Sequence, residues 1–355
     1  MPQTPKTTCP RKHLHPDGLM EELTSDVVLD KAYAWVCKRR KDYGHNACVW
    51  DLRFWWALER ELLKKDLRAG VYRFAIMTRY VRESGEEIEL WSARDSLVLK
   101  ALALVLGGVL QIPESCVHVK GRGGLKGAVR AVRRAVGKNT FVCRTDVRSY
   151  YASIDHLKLQ SRLADHVGDR RVLSLLWQSM QRSSERGGVM RVHSRGIPLG
   201  SPLSPLLGAF FLAEVDRSLE GQRVFYVRYM DDLLVLAKTR WRLRKAVKAI
   251  NQGFSALGVE KHPDKTFIGR IRKGFDFLGY RFGEGALGLA GKTVENFKEK
   301  CSRLYEQKGH LPEWKTALES YHKRWWRWCT AGLDSETVTP PYDAFCNLFR
   351  RFRAV

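Results

Sequence analysis

The chain has 355 residues, 44% of them hydrophobic, which is enough for two or three lobes with a real core and excludes a disordered or low-complexity protein. Lysine and arginine outnumber acids 62 to 38, a formal charge of +24, the electrostatic footprint of a protein that holds a polyphosphate backbone; a basic but inert surface is the plain alternative. The eight cysteines are scattered with no Cys-x-x-Cys pair, which argues against zinc or a disulfide framework and for reduced thiols in the cytoplasm.

The opening MPQTPKTTCPRKHLHPDG has no apolar run, so neither a secretory signal nor an anchor is expected there, but a flexible tail over residues 1–24. LDKAYAWVCKRRKDYG and VWDLRFWWALERELLKKDLRAG then place apolar residues at threes and fours, predicting two helices with Gly70 as a stop. VYRFAIMTRYVRESGEEIELW predicts a β-hairpin over 71–91. SLVLKALALVLGGVLQI, interrupted by Lys100, Gly107 and Gly108, reads as a buried helix over 96–112 and not as a membrane span; no basic amphipathic helix stands apart to suggest a membrane surface either. HVKGRGGLKGAVRAVRRAVG is a basic glycine-rich loop entering a helix that carries Arg130, Arg133 and Arg134. It suits a phosphate cradle or a simple connector equally.

TFVCRTDVRSYYASIDH begins as a strand and places Asp146 near its end. RGIPLGSPLSPLLGAFFLAEVDRSL settles into a helix whose first turns are small. In VFYVRYMDDLLVLAK, two β-branched and aromatic runs flank a turn tipped by Asp231 and Asp232. Aspartate in a turn is ordinary, and a third carboxylate in a matching context, Asp146, tips the reading toward chemistry. A helix, the segment VEKHPDKTFIG, the strand-like FDFLGYRFG and two further helices with basic and Trp-rich faces complete the chain, which ends in NLFRRFRAV.

Phosphoryl transfer to a growing strand asks little of a protein beyond carboxylates that hold two divalent ions about 3.5–4 Å apart. Magnesium takes hard oxygen ligands and keeps part of its water shell, so Asp146 and the Asp231–Asp232 pair suffice if their strands are neighbours. Tyr229 and Met230 then lie where a primer end rests.

TDVRSYYASIDH, GIPLGSPLSPLLGAFFL, YMDD, LGVEKHPDKTFIG and FDFLGY, in that order, resemble the successive palm motifs of bacterial reverse transcriptases, particularly the group II intron-like branch with its retron-like and defence-associated relatives. The resemblance covers roughly residues 70–285, and WSARDSLVLKAL and HVKGRGGLKGAV look like fingers motifs of that branch. It implies an α+β right-hand polymerase: fingers with an N-terminal extension over 25–140, a palm with an antiparallel sheet over 141–285, and a helical thumb with a basic tail over 286–355. The implied activity is RNA-directed DNA synthesis from a 3′-hydroxyl, using dNTPs and two Mg²⁺ ions, or Mn²⁺ in their place. The implied partners are an RNA template, a dedicated noncoding RNA among the candidates, and a DNA primer or product.

Carried over by position, the resemblance makes Asp146 and Asp231 the principal metal ligands, with Asp232 beside them. Tyr151 matches the aromatic steric gate against a 2′-hydroxyl, or is one more aromatic packed under a sheet. Gly200, Ser201 and Pro202 match the nucleotide-pocket motif; Lys265 matches a phosphate-side lysine, or is a solvated surface lysine. Phe277, Leu278 and Gly279 look like the start of a primer grip. Lys120 and Arg122 fall in the fingers motif. Lys298, Lys300, Arg303, Lys323, Arg324 and Arg327 are placed to track a duplex by its phosphates. Trp325, Trp326 and Trp328 are read as core before base-stacking platforms.

Two departures stand out. Leu199 replaces the usual glutamine before the pocket glycine, and the fingers hairpin ends in acidic GEEIELW, leaving Arg79, Arg82 or Arg94 as substitutes for a triphosphate clamp. Neither an RNase H domain nor a His/Asn/Cys endonuclease cluster is expected, which favours defence or another domesticated role. The alternatives are a maturase-like RNA-binding scaffold and template-independent or self-primed synthesis.

Overall fold

The computed structural model describes residues 18–81, 85, 87–285, 287–308 and 313–331. Residues 1–17 of the tail expected over 1–24, Arg82 and the terminal NLFRRFRAV lie outside the described residues, while residues 18–23 of that expected tail are instead helical, because Leu19, Met20 and Leu23 are buried. The chain divides into two compact units: 18–111 with Tyr151–Phe211, and Ile112–Tyr150 with 212–331.

The first unit begins with α1 (Gly18–Leu23) and α2 (Asp26–Arg39), the latter capped by Ser25 Oγ accepting from the Val28 N–H. The single helix expected over VWDLRFWWALERELLKKDLR is two, α3 (Cys48–Phe54) and α4 (Trp56–Arg68), because Trp55 leaves helical geometry at φ −98° and ψ 18°. The kink lets Trp56 stack on Tyr33 at 4.3 Å while Leu63 and Leu67 stay buried. Of the hairpin expected at 71–91, β1 (Met77–Val81) and β2 (Glu87–Leu90) are strands. Residues 71–76 are not, since their polar groups turn to Asp95, which accepts from Tyr72 Oη at 2.7 Å and the Ala75 N–H at 3.3 Å. Asp95 sits in the first turn of α5 (Ala93–Val109), the buried helix, which starts three residues before its predicted place because Ser92 caps it.

The chain crosses into the second unit with α6 (Gly124–Val136) and β3 (Phe141–Thr145), turns through α7 (Tyr150–Ser153), and returns to the first with α8 (His156–Ala164), α9 (Arg170–Met180), β4 (Ser183–Arg186), β5 (Val189–Val192) and α10 (Ser204–Phe211). The second unit closes with α11 (Ala213–Glu220), β6 (Phe225–Tyr229), β7 (Asp232–Ala237), α12 (Arg240–Leu257), β8 (Phe267–Arg270), β9 (Phe275–Phe277), β10 (Tyr280–Phe282), β11 (Gly288–Leu289), α13 (Gly291–Lys308) and α14 (Trp314–Thr330). No helix among the described residues is long and apolar enough to cross a membrane.

Among the described residues, the first unit holds a sheet ordered β2-β1-β4-β5, parallel at β1–β4 and otherwise antiparallel. The second unit holds an antiparallel sheet ordered β6-β7-β3-β8 and a smaller one ordered β11-β10-β9. One core joins these two sheets to α6: Val142, Val227, Leu234 and Leu236 meet Ala128, Val129 and Val132 of the helix and Phe275, Phe277, Tyr280 and Phe282 of the hairpin. Burying each large apolar side chain is worth about 1.5–3 kcal/mol, which is what fixes the faces and hence the strand register. In α13 and α14, Phe297, Cys301 and Leu318 form a separate core under Trp314, Tyr321 and Trp325.

Candidate active site

Strand register brings the acids together. In the β3–β7 pair Thr145 faces Leu233, so Asp146 and Asp232, one residue further on each strand, meet at the same sheet end. In the β6–β7 pair Tyr229 faces Asp232, leaving Met230 and Asp231 as a two-residue turn with Met230 at φ 55°. Asp146 is buried, and Asp231 and Asp232 are half-buried. The backbone beyond β3 is pinned from the other side, where the His262 N–H donates to the Asp146 carbonyl at 2.7 Å and the Arg148 N–H to that of Glu260 at 2.9 Å.

Crowded carboxylates do not ionise freely. Burial, then a hydrogen bond shared with Asp146 and that group's charge, pushes Asp231 up to about 7. Burial and the charge of Asp146 push Asp232 up to about 6, against the pull of Arg144 and Lys265. Asp146 Oδ2 accepts from Lys265 Nζ, and Oδ1 is buried with no donor. The Lys265 ammonium is raised chiefly by this hydrogen bond, so at neutral pH a cation already sits on the cluster.

Two residues that sequence reasoning missed hold the turn. Arg228 is entirely buried on β6; its Nε donates to Asp216 Oδ1 at 2.7 Å, its Nη2 to Oδ2 at 2.5 Å, and its Nη1 to the Met230 carbonyl at 2.8 Å. The Met230 N–H donates to His118 Nδ1 at 3.0 Å. Both backbone polar groups of the left-handed residue preceding Asp231 are thus satisfied by side chains. The Arg228 main chain also bridges to 115–117, with its N–H on the Ser115 carbonyl at 2.8 Å, which delivers His118 to the turn. A charged residue amid the apolar run VFYVRY was the available signal, since a buried guanidinium requires a carboxylate partner.

The donor set fits a hard divalent cation: three carboxylates, one with a buried oxygen that lacks a donor. Among the described residues no three His, Cys, Asp or Glu side chains already surround a common point as a metal cage. Magnesium does not need one, because it takes one or two carboxylates and completes its shell with water and substrate phosphates.

The other predicted site residues fall as follows. Tyr229 and Met230 form the lip of the acidic turn, with the Tyr229 ring edge-on to His118. Phe277 is buried in the core, while Leu278 and Gly279, at φ 49° and 85°, form the turn between β9 and β10. Lys120 is exposed, whereas Arg122 is tied to the Pro113 carbonyl. Lys298, Arg324 and Arg327 are exposed on α13 and α14. Trp325 stacks on Phe297 at 4.1 Å and Trp328 on Tyr280 at 5.7 Å, on the packed side of those helices.

In the first unit the Tyr151 carbonyl accepts from the Ile197 N–H at 2.8 Å, Gly200 has φ 83°, Ser201 Oγ accepts from the Leu203 N–H, Pro202 is half-buried and Leu199 is 74% exposed. Arg94 is engaged by Glu59 at 2.9 Å and Asp66 at 3.2 Å, and Arg79 is buried, with its Nη2 donating to the Val189 carbonyl.

A mixed fold of helices and antiparallel sheets, with clustered acids at the ends of adjacent strands, is that of an α+β nucleic-acid polymerase. The family model described as reverse transcriptase (RNA-dependent DNA polymerase) matches residues 98–282, more than half of the chain. The chain belongs to this family, and its enzymatic class is RNA-directed DNA polymerase. It is 24% identical over 274 residues to Protein YkfC of Escherichia coli (strain K12), a match covering 63% of this chain and 71% of that protein. Among solved structures it is similar to a chain of a partial Cas6-RT-Cas1–Cas2 complex and one of the Cas6-RT-Cas1–Cas2 complex. Each has 18% identity and a TM-score of 0.42 over 67% of this chain. The match spans 41% and 26% of those chains, less than half of either.

Proposed function

We propose that this chain copies an RNA template into DNA at a site built from Asp146, Asp231 and Asp232. The observation that supports it most directly is the closeness of buried Asp146 to Asp231 across neighbouring strand ends, an arrangement that costs folding energy unless a cation is meant to sit there. Divalent ions, Mg²⁺ or Mn²⁺, would supply the charge that activates a primer 3′-hydroxyl and neutralises the departing pyrophosphate. Asp146 and Asp231 offer them hard oxygens, with Asp232 beside them. Lys265 balances Asp146, and Arg228 with His118 holds the turn so that Asp231 keeps its direction.

Tyr151 serves as the gate against a 2′-hydroxyl in this reading, and Gly200, Ser201 and Pro202 line the nucleotide pocket. Exposed Lys298, Arg324 and Arg327 track the RNA-containing duplex by its phosphates, which requires no sequence contacts. The template is a dedicated RNA in a defence or other domesticated system.

Purified protein given a primed RNA template, dNTPs and Mg²⁺ should extend the primer, and Asp146→Ala and Asp231→Ala should each reduce extension to background while RNA binding persists. Undiminished synthesis by either variant removes that aspartate from the mechanism. Sequencing the RNA and DNA that copurify with wild type and Asp231→Ala identifies the template, and random product sequence would replace copying with template-independent synthesis.

A further inference from the structure

The second unit has a cavity of about 470 Å³ at the end of its sheet opposite the aspartates. Thr140, which lines it, precedes β3, and Asp146 follows β3. Six residues of extended chain separate the two by roughly 20 Å.

Three elements place an arginine along the cavity: Arg133 from α6, Arg270 from the end of β8, and Arg272 from the turn that follows. Its apolar lining is Val136, Ile271, Phe282 and Leu287, the last three buried in the core. That lining is braced by the Ile271 N–H donating to the Thr140 carbonyl at 2.9 Å and the Thr140 N–H to that of Ala237 at 3.1 Å. Arg270 also lies over the Phe141 ring at 5.9 Å, which limits where its head group can go. Among the described residues that line the cavity, Glu284 is the one carboxylate.

A ligand complementary to this set has a flat apolar body, a few hydrogen-bond donors and a chain of negative charges. The volume suits one small molecule and excludes a duplex. Arginine forks match phosphate oxygens in pairs, so three of them suit a phosphate chain better than a single ion. We propose that this cavity is a second nucleotide site, which takes a nucleoside 5′-polyphosphate: the base rests on the apolar lining, the phosphates on Arg270, Arg272 and Arg133, and donor groups on Glu284. A free nucleotide and the 5′-triphosphate end of an RNA share this chemistry.

The test is fluorescence titration of the full chain with a methylanthraniloyl-labelled ATP in EDTA, where binding at the aspartates lacks its metal. Wild type and Asp231→Asn should bind alike. Arg272→Ala and Arg270→Ala should weaken binding roughly ten- to hundredfold, as loss of charge-assisted hydrogen bonds dictates. Glu284→Gln keeps an acceptor oxygen for the ligand's donors and removes the negative charge that opposes the phosphates, so it should tighten binding, a gain that misfolding does not produce. Competition separates the sources: displacement by ATP alone assigns a free nucleotide, and displacement also by a short 5′-triphosphorylated RNA assigns an RNA end. Equal displacement by the same RNA with a 5′-hydroxyl, absence of binding in EDTA, or unchanged affinity in the arginine variants overturns the proposal.

Discussion

Arg228 and Asp216 form a fully buried ion pair, Nε to Oδ1 at 2.7 Å and Nη2 to Oδ2 at 2.5 Å, and the remaining guanidinium nitrogen of Arg228 reaches the carbonyl of Met230. Tyr226 Oη also donates to Asp216 at 2.7 Å, so the carboxylate is saturated. A strand interior and the acidic turn at its tip are thereby one rigid piece.

Removing one partner of such a pair leaves an uncompensated buried charge. Asp216→Ala should cost about 3–5 kcal/mol in urea unfolding, whereas Asp216→Leu with Arg228→Met should recover most of that. Primer extension by the double variant should stay low, because the Met230 carbonyl has lost its donor. Recovery of activity together with stability would reduce Arg228 to a structural role.

The acidic cluster makes stability depend on pH in a direction unusual for carboxylates. Asp231 is held up to about 7, above its unfolded value near 3.8, so the folded state binds more protons across that window. Its contribution, complete below the lower value, is lost as pH rises through the upper one. In EDTA, Asp231→Asn should therefore melt above wild type at pH 8, with the gap closing toward pH 5. Adding Mg²⁺ should raise the wild-type melting temperature more than the variant's. A gap independent of pH would contradict the raised value.

Lys265 is the cation on Asp146, with its side chain 48% exposed, so screening limits what the pair contributes. Lys265→Met should lower the melting temperature in EDTA by an amount worth about 1 kcal/mol or less, and Mg²⁺ should erase the deficit. An unchanged melting temperature with a raised KM for dNTP would place the lysine on nucleotide phosphates instead.

Gly196 has φ +80°, and a Cβ there would meet Ala152 Cα at 2.8 Å and the Tyr151 carbonyl oxygen at 2.9 Å. Its N–H donates to the Ile154 carbonyl at 2.8 Å, clasping the backbone that carries Tyr151. Gly196→Ala should cost about 1–3 kcal/mol from the backbone conformation before any clash is counted. If Tyr151 is the gate, the same change should lower the preference for dNTP over rNTP in single-nucleotide incorporation. Unchanged preference in a folded variant would separate the clasp from nucleotide selection.

Much of this protein is legible in its residues. VFYVRYMDDLLVLAK reads as strand, turn and strand because aromatic and β-branched runs flank a polar break. Gly70 after α4 and the positive charge of the whole chain are local or compositional properties of the same kind, whereas the Ser92 cap that starts α5 at Ala93 went unread. The break at Trp55 was not legible, since every residue there suits a helix and the stacking of Trp56 on Tyr33 is a tertiary contact. Lys265 in a Pro-Asp-Lys turn carried no local sign that its ammonium would reach Asp146.

Composition and short-range pattern determined the strand–turn–strand of 224–238, where its acids sit and that the chain is strongly basic; the β4–β5 hairpin over 183–192 was not among the strands they marked. The tertiary structure decided that β3 lies between β7 and β8, that Asp146 and the Asp231–Asp232 turn meet at one sheet end, and that Arg228 finds Asp216. Propensity acts between residues a turn or two apart. Strand order and buried pairing follow from which faces exclude water together, and that choice joins residues more than eighty positions apart in the chain, as Thr145 and Leu233 show.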